Sequence, residues 1–305
     1  MSKIAAIDLG TNSMRLMLCE VVGKKFRTKN KEVITTRIGK DMGHKGLLTE
    51  KAMAKNIEAI KYFKKRAEEY GAEKTIIFAT SAIRDAANKD LFLERVKDET
   101  GLDIMVLNGE EEAEVGMLGA SYGFEDENLL VIDVGGGSTE LVLGSEDKIL
   151  YSTSINAGAV RMTEKYVKSN PIQQSDIQEL EKSLETLFSD ALNQLKEKKI
   201  DKVLAIGGTA TTAASIFHKA RVYDWELIHN TILNKTFLDN LFQTLKSMPL
   251  KERYNIKGLQ KERADIIPAG IFIILYVLEK LNKEQVIISE NDNLEGIIIK
   301  YGEVF

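Results

Sequence analysis

The chain has 305 residues, 44% hydrophobic and 29% charged, with a formal net charge of −4. That length suits two domains, and that charge excludes a bulk basic field for nucleic acid or anionic lipid, so any polyanion must be met by a local basic site.

In chain order, "KIAAIDLG" (3–10) and "MRLMLCEVV" (14–22) read as strands around the polar turn "TNS", with more strand pattern to Ile38. The start shows no signal-peptide signature, which predicts a cytoplasmic protein. The lone Cys19 cannot build a disulfide framework and is expected as a small buried hydrophobe in a reducing compartment. Ala52, Ile57, Ile60 and Phe63 recur near a 3.6 period and predict a helix from Thr49 to Tyr70. "KTIIFATSA" predicts a strand, "NKDLFLERVKDETG" a helix ending at Gly101, "LDIMVL" a strand and "GEEEAEVGMLGASYG" a helix.

The order then repeats. Strands are expected at 129–133, 138–143 and near 148–155, and helices at about 159–166 and 173–198. "DKVLAIGG" predicts a strand and "TATTAASIF" opens a helix. The final third is mostly helical, with a strand at 285–289. The run from Ile266, broken by Pro268 and Gly270, is shorter than the roughly 20 residues of a membrane helix and predicts a buried helix. Strands alternating with helices indicate an α/β class. "AAIDLGTNSMRLML" and "LVIDVGGGSTELVL" echo each other, which predicts two related domains: 1–124 and 125–305, with a terminal helix near 293–305 packing back on the first.

The turns carry the chemistry. Glycine takes positive φ at little cost and lets backbone N–H groups approach an anion. Gly135, Gly136 and Gly137, with Ser138 beside them, make one such turn. Thr11, Asn12 and Ser13 make another, with hydroxyls for phosphate oxygens and Arg15 in reach for a bidentate contact. Asp8 and Asp133 precede the two turns, where they suit Mg²⁺, which binds through few carboxylates plus substrate phosphates. Gly207 and Gly208 join a strand to a helix start, where N–H groups meet an anion. Hairpin glycines and turn aspartates explain any one turn alone; three with matched aspartates favour phosphate. No Gly-Lys pair is followed by Ser or Thr, so there is no Walker loop.

Arg84 suits a phosphate clamp or a solvated helix start. "NGEEEAEVG" (108–116) holds four glutamates; a solvated helix N-terminus explains the cluster, and one member turned inward would serve as general base. Glu140 suits a metal or water-positioning role as well as a cross-strand salt bridge. His44, His218 and His229 fit no metal motif, and the early lysines at 24, 25, 29, 31, 40 and 45 read as solvated strands and loops, with a polyanion track as the alternative.

Together "AIDLGTNSMRLML", "ATSAIRDAAN", "LNGEEEAEVGMLGA", "VIDVGGGSTELVLG", "NAGAVRMTEKY", "AIGGTATTAA" and "GLQKERADIIPAG" resemble the exopolyphosphatase / guanosine pentaphosphate phosphatase (Ppx/GppA) family, within the sugar kinase–Hsp70–actin group, along almost the whole chain. The resemblance implies two actin-like (ribonuclease H-like) domains with an interdomain cleft. It implies Mg²⁺-dependent hydrolysis of terminal phosphate from inorganic polyphosphate, or of pppGpp to ppGpp. It implies Glu112 as catalytic glutamate and Asp133 and Glu140 as acidic metal or catalytic positions. One phosphate loop is Gly135, Gly136, Gly137 and Ser138; the other is Asp8, Thr11, Asn12, Ser13 and Arg15; Arg84 is the clamp. A homodimer fits the family, and neither nucleic acid nor membrane is an expected partner. A non-catalytic alarmone-binding regulator is the reading from another class.

Two segments depart from the family's pattern: "SENDNLEG" (289–296) lacks a Gly and an Arg, and Asn230 stands where a Gly often follows His229. The chain also ends without the long helical extension of larger members, an absence expected to bear on gripping long polyphosphate.

Overall fold

The computed structural model describes residues 1–302 except 24, 41, 43–45, 125, 126, 146, 147 and 223, so His44, Lys24 and Lys45 lie outside the described residues. The chain divides into two compact units, Met1–Gly119 with Asn293–Phe305, and Ala120–Asp292.

In the first unit, β1 (Ser2–Leu9), β2 (Met14–Val22), β3 (Lys25–Ile34), β4 (Lys74–Ala79) and β5 (Met105–Val106) form one mixed sheet in the order β3-β2-β1-β4-β5. The first three strands pair antiparallel, and β4 and β5 add on parallel. The strand pattern expected to run to Ile38 stops at Ile34, and "LDIMVL" yields only the two residues of β5, an edge strand with one neighbour. The helices are α1 (Glu50–Tyr70), α2 (Ser81–Arg84), α3 (Lys89–Thr100) and α4 (Gly109–Ser121). Strand β1, central in the sheet, is buried on both faces: Ala5, Ile7 and Leu9 join the core under α1 and α3, and Ile4 and Ala6 join a smaller core opposite.

The second unit repeats the plan with β6 (Leu129–Val134), β7 (Thr139–Gly144), β8 (Ile149–Ile155), α5 (Ala159–Tyr166), α6 (Gln174–Lys196), β9 (Lys202–Ile206) and α7 (Gly207–Phe217). There follow α8 (Trp225–Ile228), β10 (Thr231–Asn234), α9 (Lys235–Ser247), α10 (Leu250–Arg253), α11 (Ile267–Lys280) and β11 (Gln285–Ile288). The sheet order is β10-β11-β9-β6-β7-β8. Strand β10 is invisible in the sequence: four residues alternating buried and exposed reach strand length only through antiparallel pairing with β11. Helix α11 is buried nearly all round, as the apolar run from Ile266 implies. Among the described residues no helix is long and apolar enough to cross a membrane.

One carboxylate in this unit supports a pH prediction. Asp176, in the first turn of α6, accepts from the N–H groups of Lys168 and Ser169 at 3.3 and 2.9 Å and from the Ser169 hydroxyl. Desolvation pushes its carboxyl up, but the hydrogen bonds to the charged form, led by the Ser169 hydroxyl, outweigh it and hold the group below its ordinary value. A depressed folded value stabilises the fold above the unfolded carboxylate range, and the gain is lost as pH falls through the folded value. Asp176→Asn should therefore melt about 2–4 °C lower at pH 7, a gap that closes on acidification; a pH-independent gap counts against the assignment.

The chain ends in α12 (Asn293–Tyr301), which packs against β1 and β4 of the first unit. Gly296 permits it: a Cβ there would stand 1.8 Å from the Val115 carbonyl oxygen on α4. Glu295, fully buried, pairs with Lys29 and Lys31 of β3 at 3.0 and 2.9 Å, so two of the early lysines are structural rather than solvated. Cys19 lies in the same core, and burial, with Glu295's charge behind it, pushes its thiol up to about 12, keeping it protonated and unreactive.

Candidate functional site

In the first unit, the turn between β1 and β2 is closed by the Gly10 N–H donating to the Ser13 carbonyl at 3.1 Å. The carbonyls of Thr11 and Asn12 accept from the N–H groups of Gly39 and Arg37 at 3.1 and 2.8 Å. Thr11, Asn12 and Ser13 are all buried. The Thr11 hydroxyl shares a 3.0 Å hydrogen bond with the Ser81 hydroxyl, which ties this turn to the start of α2. Arg84, three residues on, donates to the Glu112 carboxylate at 2.6 Å and to the Leu107 carbonyl at 3.2 Å.

Helix geometry selects Glu112 from its neighbours. Asn108 caps α4 by accepting from the N–H groups of Glu110 and Glu111, while the Glu111 carboxylate accepts from the Asn108 N–H, a reciprocal capping box. Glu110 stays exposed, and Glu114 takes Lys300 at 2.5 Å. Glu112 is turned inward, 5% exposed, onto Arg84. The sequence leaves the four equivalent; the cap sets the helix phase that separates them.

Asp8 and Arg15 are opposite one another across β1 and β2, and Arg15 Nε donates to the Asp8 carboxylate at 2.9 Å. The residue expected to meet phosphate and the residue expected to meet metal thus meet each other. In the second unit the same positions read Asp133 and Glu140, again directly opposite across a hairpin. Directly opposed like charges are unfavourable by themselves. Glu140, 3% exposed, accepts from the Ser154 hydroxyl at 2.7 Å. Asp133 lies beside Gly207: a Cβ there would stand 2.5 Å from the Asp133 carboxylate, and Gly207 itself has a φ of 77° that favours glycine. Two hard carboxylates on one hairpin face fit Mg²⁺, which takes one or two protein carboxylates and completes its shell with water and phosphate. Among the described residues no group of three or more His, Cys, Asp or Glu gathers into a metal cage.

The Gly135–Ser138 turn is closed like its counterpart, with the Gly135 N–H donating to the Ser138 carbonyl at 3.0 Å. The third turn packs beside it, since β6 and β9 pair in parallel and Thr209 donates to the Val134 carbonyl at 2.9 Å. Arg263 lies directly over Gly208, where a Cβ would come within 2.1 Å of its guanidinium. This puts a cation at the start of α7, a feature the sequence reading missed; its one signal was that Arg263 falls inside the quoted stretch "GLQKERADIIPAG".

His218 and His229 have protein partners. His218 Nε2 shares a 2.9 Å hydrogen bond with the Thr231 hydroxyl, and His229 Nδ1 accepts from the Glu290 N–H at 3.2 Å. The second contact joins the two segments that depart from the family's pattern. Asn230 has a φ of 63°, the left-handed region that glycine fills freely and asparagine tolerates best among the rest.

The profile of the Ppx/GppA phosphatase family matches residues 18–303. The chain is 36% identical to a bifunctional 3-dehydroquinate synthase/phosphatase of Fusobacterium nucleatum, over 97% of this chain and 46% of that protein, so it spans about half of that relative's length. It is 29% identical to exopolyphosphatase 2 of Mycobacterium tuberculosis, over 98% of each. A solved structure of the Aquifex aeolicus Ppx/GppA family member superposes with a TM-score of 0.82 at 31% identity, covering 99% of this chain and 98% of that one. The two mixed sheets, each opening on an antiparallel hairpin, are those of the actin-like two-domain fold of these neighbours.

Proposed function

The chain belongs to the Ppx/GppA phosphatase family, and from that premise we propose that it is a phosphoanhydride hydrolase that removes terminal phosphate from inorganic polyphosphate. The observation that carries the reading is the buried Glu112, held at 2.6 Å by Arg84 on a helix whose first residue is bonded to the Thr11 turn. A buried carboxylate with a fixed orientation can accept a proton from an attacking water. Arg84 then divides its guanidinium between Glu112 and a phosphate oxygen, which brings the base to the phosphorus it serves.

In the first unit, Thr11, Asn12 and Ser13 are assigned to phosphate oxygens; in the second, Gly135, Gly136, Gly137 and Ser138, with Gly207 and Gly208, are assigned the same role. Mg²⁺, bound by Asp133 and Glu140, would supply charge neutralisation on the phosphate oxygens. Asp8 contributes to metal binding only by sharing its carboxylate with Arg15. Little covalent chemistry is asked of the protein in such a transfer, so the work is positioning and charge stabilisation.

Phosphate release with Mg²⁺ or with chelator, from long polyphosphate, short polyphosphate and pppGpp, tests this. Metal-dependent release, fastest from polyphosphate, is the expected result. Faster release from pppGpp would make the guanosine nucleotide the main substrate. Tight ppGpp binding with no release from any substrate would make the chain a ligand-binding regulator.

A further inference from the structure

The carbonyls of the second unit's glycine turn are drawn to one side. The Gly135 carbonyl accepts from the Ala159 N–H at 2.8 Å, and the Gly136 carbonyl accepts from the Val160 and Arg161 N–H groups at 2.9 and 3.0 Å. The Gly137 carbonyl accepts from a side chain, Arg161 Nε–H, at 2.7 Å. A trans peptide is planar, with its C=O and the following N–H pointing in opposite directions. Three carbonyls drawn toward the start of α5 therefore turn the N–H groups of Gly136, Gly137 and Ser138 the other way. None of the bonds just named uses those three N–H groups. Successive N–H groups facing one direction form an anion-binding nest.

We propose that Arg161 is a positioning residue for phosphate: by holding the Gly137 carbonyl, its guanidinium fixes the peptide whose other end is the Ser138 N–H, and aims that N–H at the anion. The proposal rests on the hydrolase reading above. Three details support it. First, the peptide it holds begins at a residue without a Cβ, so local sterics leave that orientation free. Second, the approach is built in: a Cβ on Gly158 would stand 2.4 Å from the Gly136 carbonyl carbon, so only glycine lets the start of α5 come this close. Third, the first unit solves the same problem differently. There the counterpart of Gly137 is Asn12, which has a side chain, and its carbonyl is held by the backbone N–H of Arg37 at 2.8 Å. The arginine clamp thus appears where the turn is all glycine.

Steady-state phosphate release from long polyphosphate with Mg²⁺, inhibition by inorganic sulfate, and melting temperature test this in wild type, Arg161→Met and Arg161→Lys. Arg161→Met should raise both KM and the sulfate inhibition constant about tenfold, the scale of one charge-assisted hydrogen bond to an anion. Its kcat should fall less than about threefold, since an interaction made equally with substrate and transition state moves KM alone. Arg161→Lys keeps the charge but loses the planar Nε–H, and should raise both constants about threefold. A folded variant with unchanged KM and sulfate constant overturns the proposal, even if it melts earlier, because Arg161 would then be structural only. Should Arg161→Met not fold, Arg161→Lys decides by the same criterion. If the wild type releases no phosphate from any substrate, the hydrolase reading fails separately, and sulfate affinity by calorimetry still tests the clamp, with the same tenfold loss expected for Arg161→Met.

Discussion

Glu112→Gln should lower kcat by about 10²- to 10⁴-fold, the range of a removed general base, while KM stays unchanged or falls. Glutamine keeps the shape and an oxygen acceptor for Arg84, so the contact now 2.6 Å long can persist and the fold is preserved. It cannot take a proton from water. A neutral amide competes less than a carboxylate for the Arg84 guanidinium, so under the proposed clamp role binding should hold or tighten. Arg84→Met should behave differently, raising KM and lowering kcat together, because this side chain holds the Glu112 carboxylate at 2.6 Å and, in the proposed role, also clamps phosphate. Comparison of kcat and KM for the two variants separates the roles. Turnover by Glu112→Gln near that of the wild type would remove Glu112 from the mechanism.

The second large effect concerns stability. Glu295→Ala should destabilise the first unit by about 3–5 kcal/mol, the cost of breaking a buried ion pair and leaving charge behind. Lys29 and Lys31 would each lose a partner now at 3.0 and 2.9 Å. Their side chains are 14% and 17% exposed, so water would not fully replace the carboxylate. The triple replacement of Glu295 by Leu with Lys29 and Lys31 by Met removes the charges together, and should recover most of the loss. Urea unfolding of both variants, followed by far-ultraviolet dichroism, measures the difference. Equal destabilisation by the single and triple variants would mean that packing of α12, not charge, governs its docking.

Much of this protein is legible in its sequence. Period-2 and period-3.6 patterns locate α1, α5 and β2 to within a residue of their observed bounds, because local sterics and one buried face are enough to specify them. The paired Asp-Gly turns locate both hairpins, and their motifs identify the family. Even the contrast between Asp8–Arg15 and Asp133–Glu140 was available, since a seven-residue offset across a tight hairpin makes each a cross-strand pair. What the tertiary structure alone decides is long-range or rotational. It decides that Glu112, not Glu110, Glu111 or Glu114, faces inward, because the Asn108 cap sets the phase of α4. It lays Arg263 over Gly208 and brings Arg161 to the Gly137 carbonyl. It makes a strand of "TILN" only because β11 lies beside it. It pairs Glu295 with lysines more than 260 positions earlier. A local pattern carries the energetics of its own neighbours along the chain; such pairings carry none until the sheets have closed the loops between them.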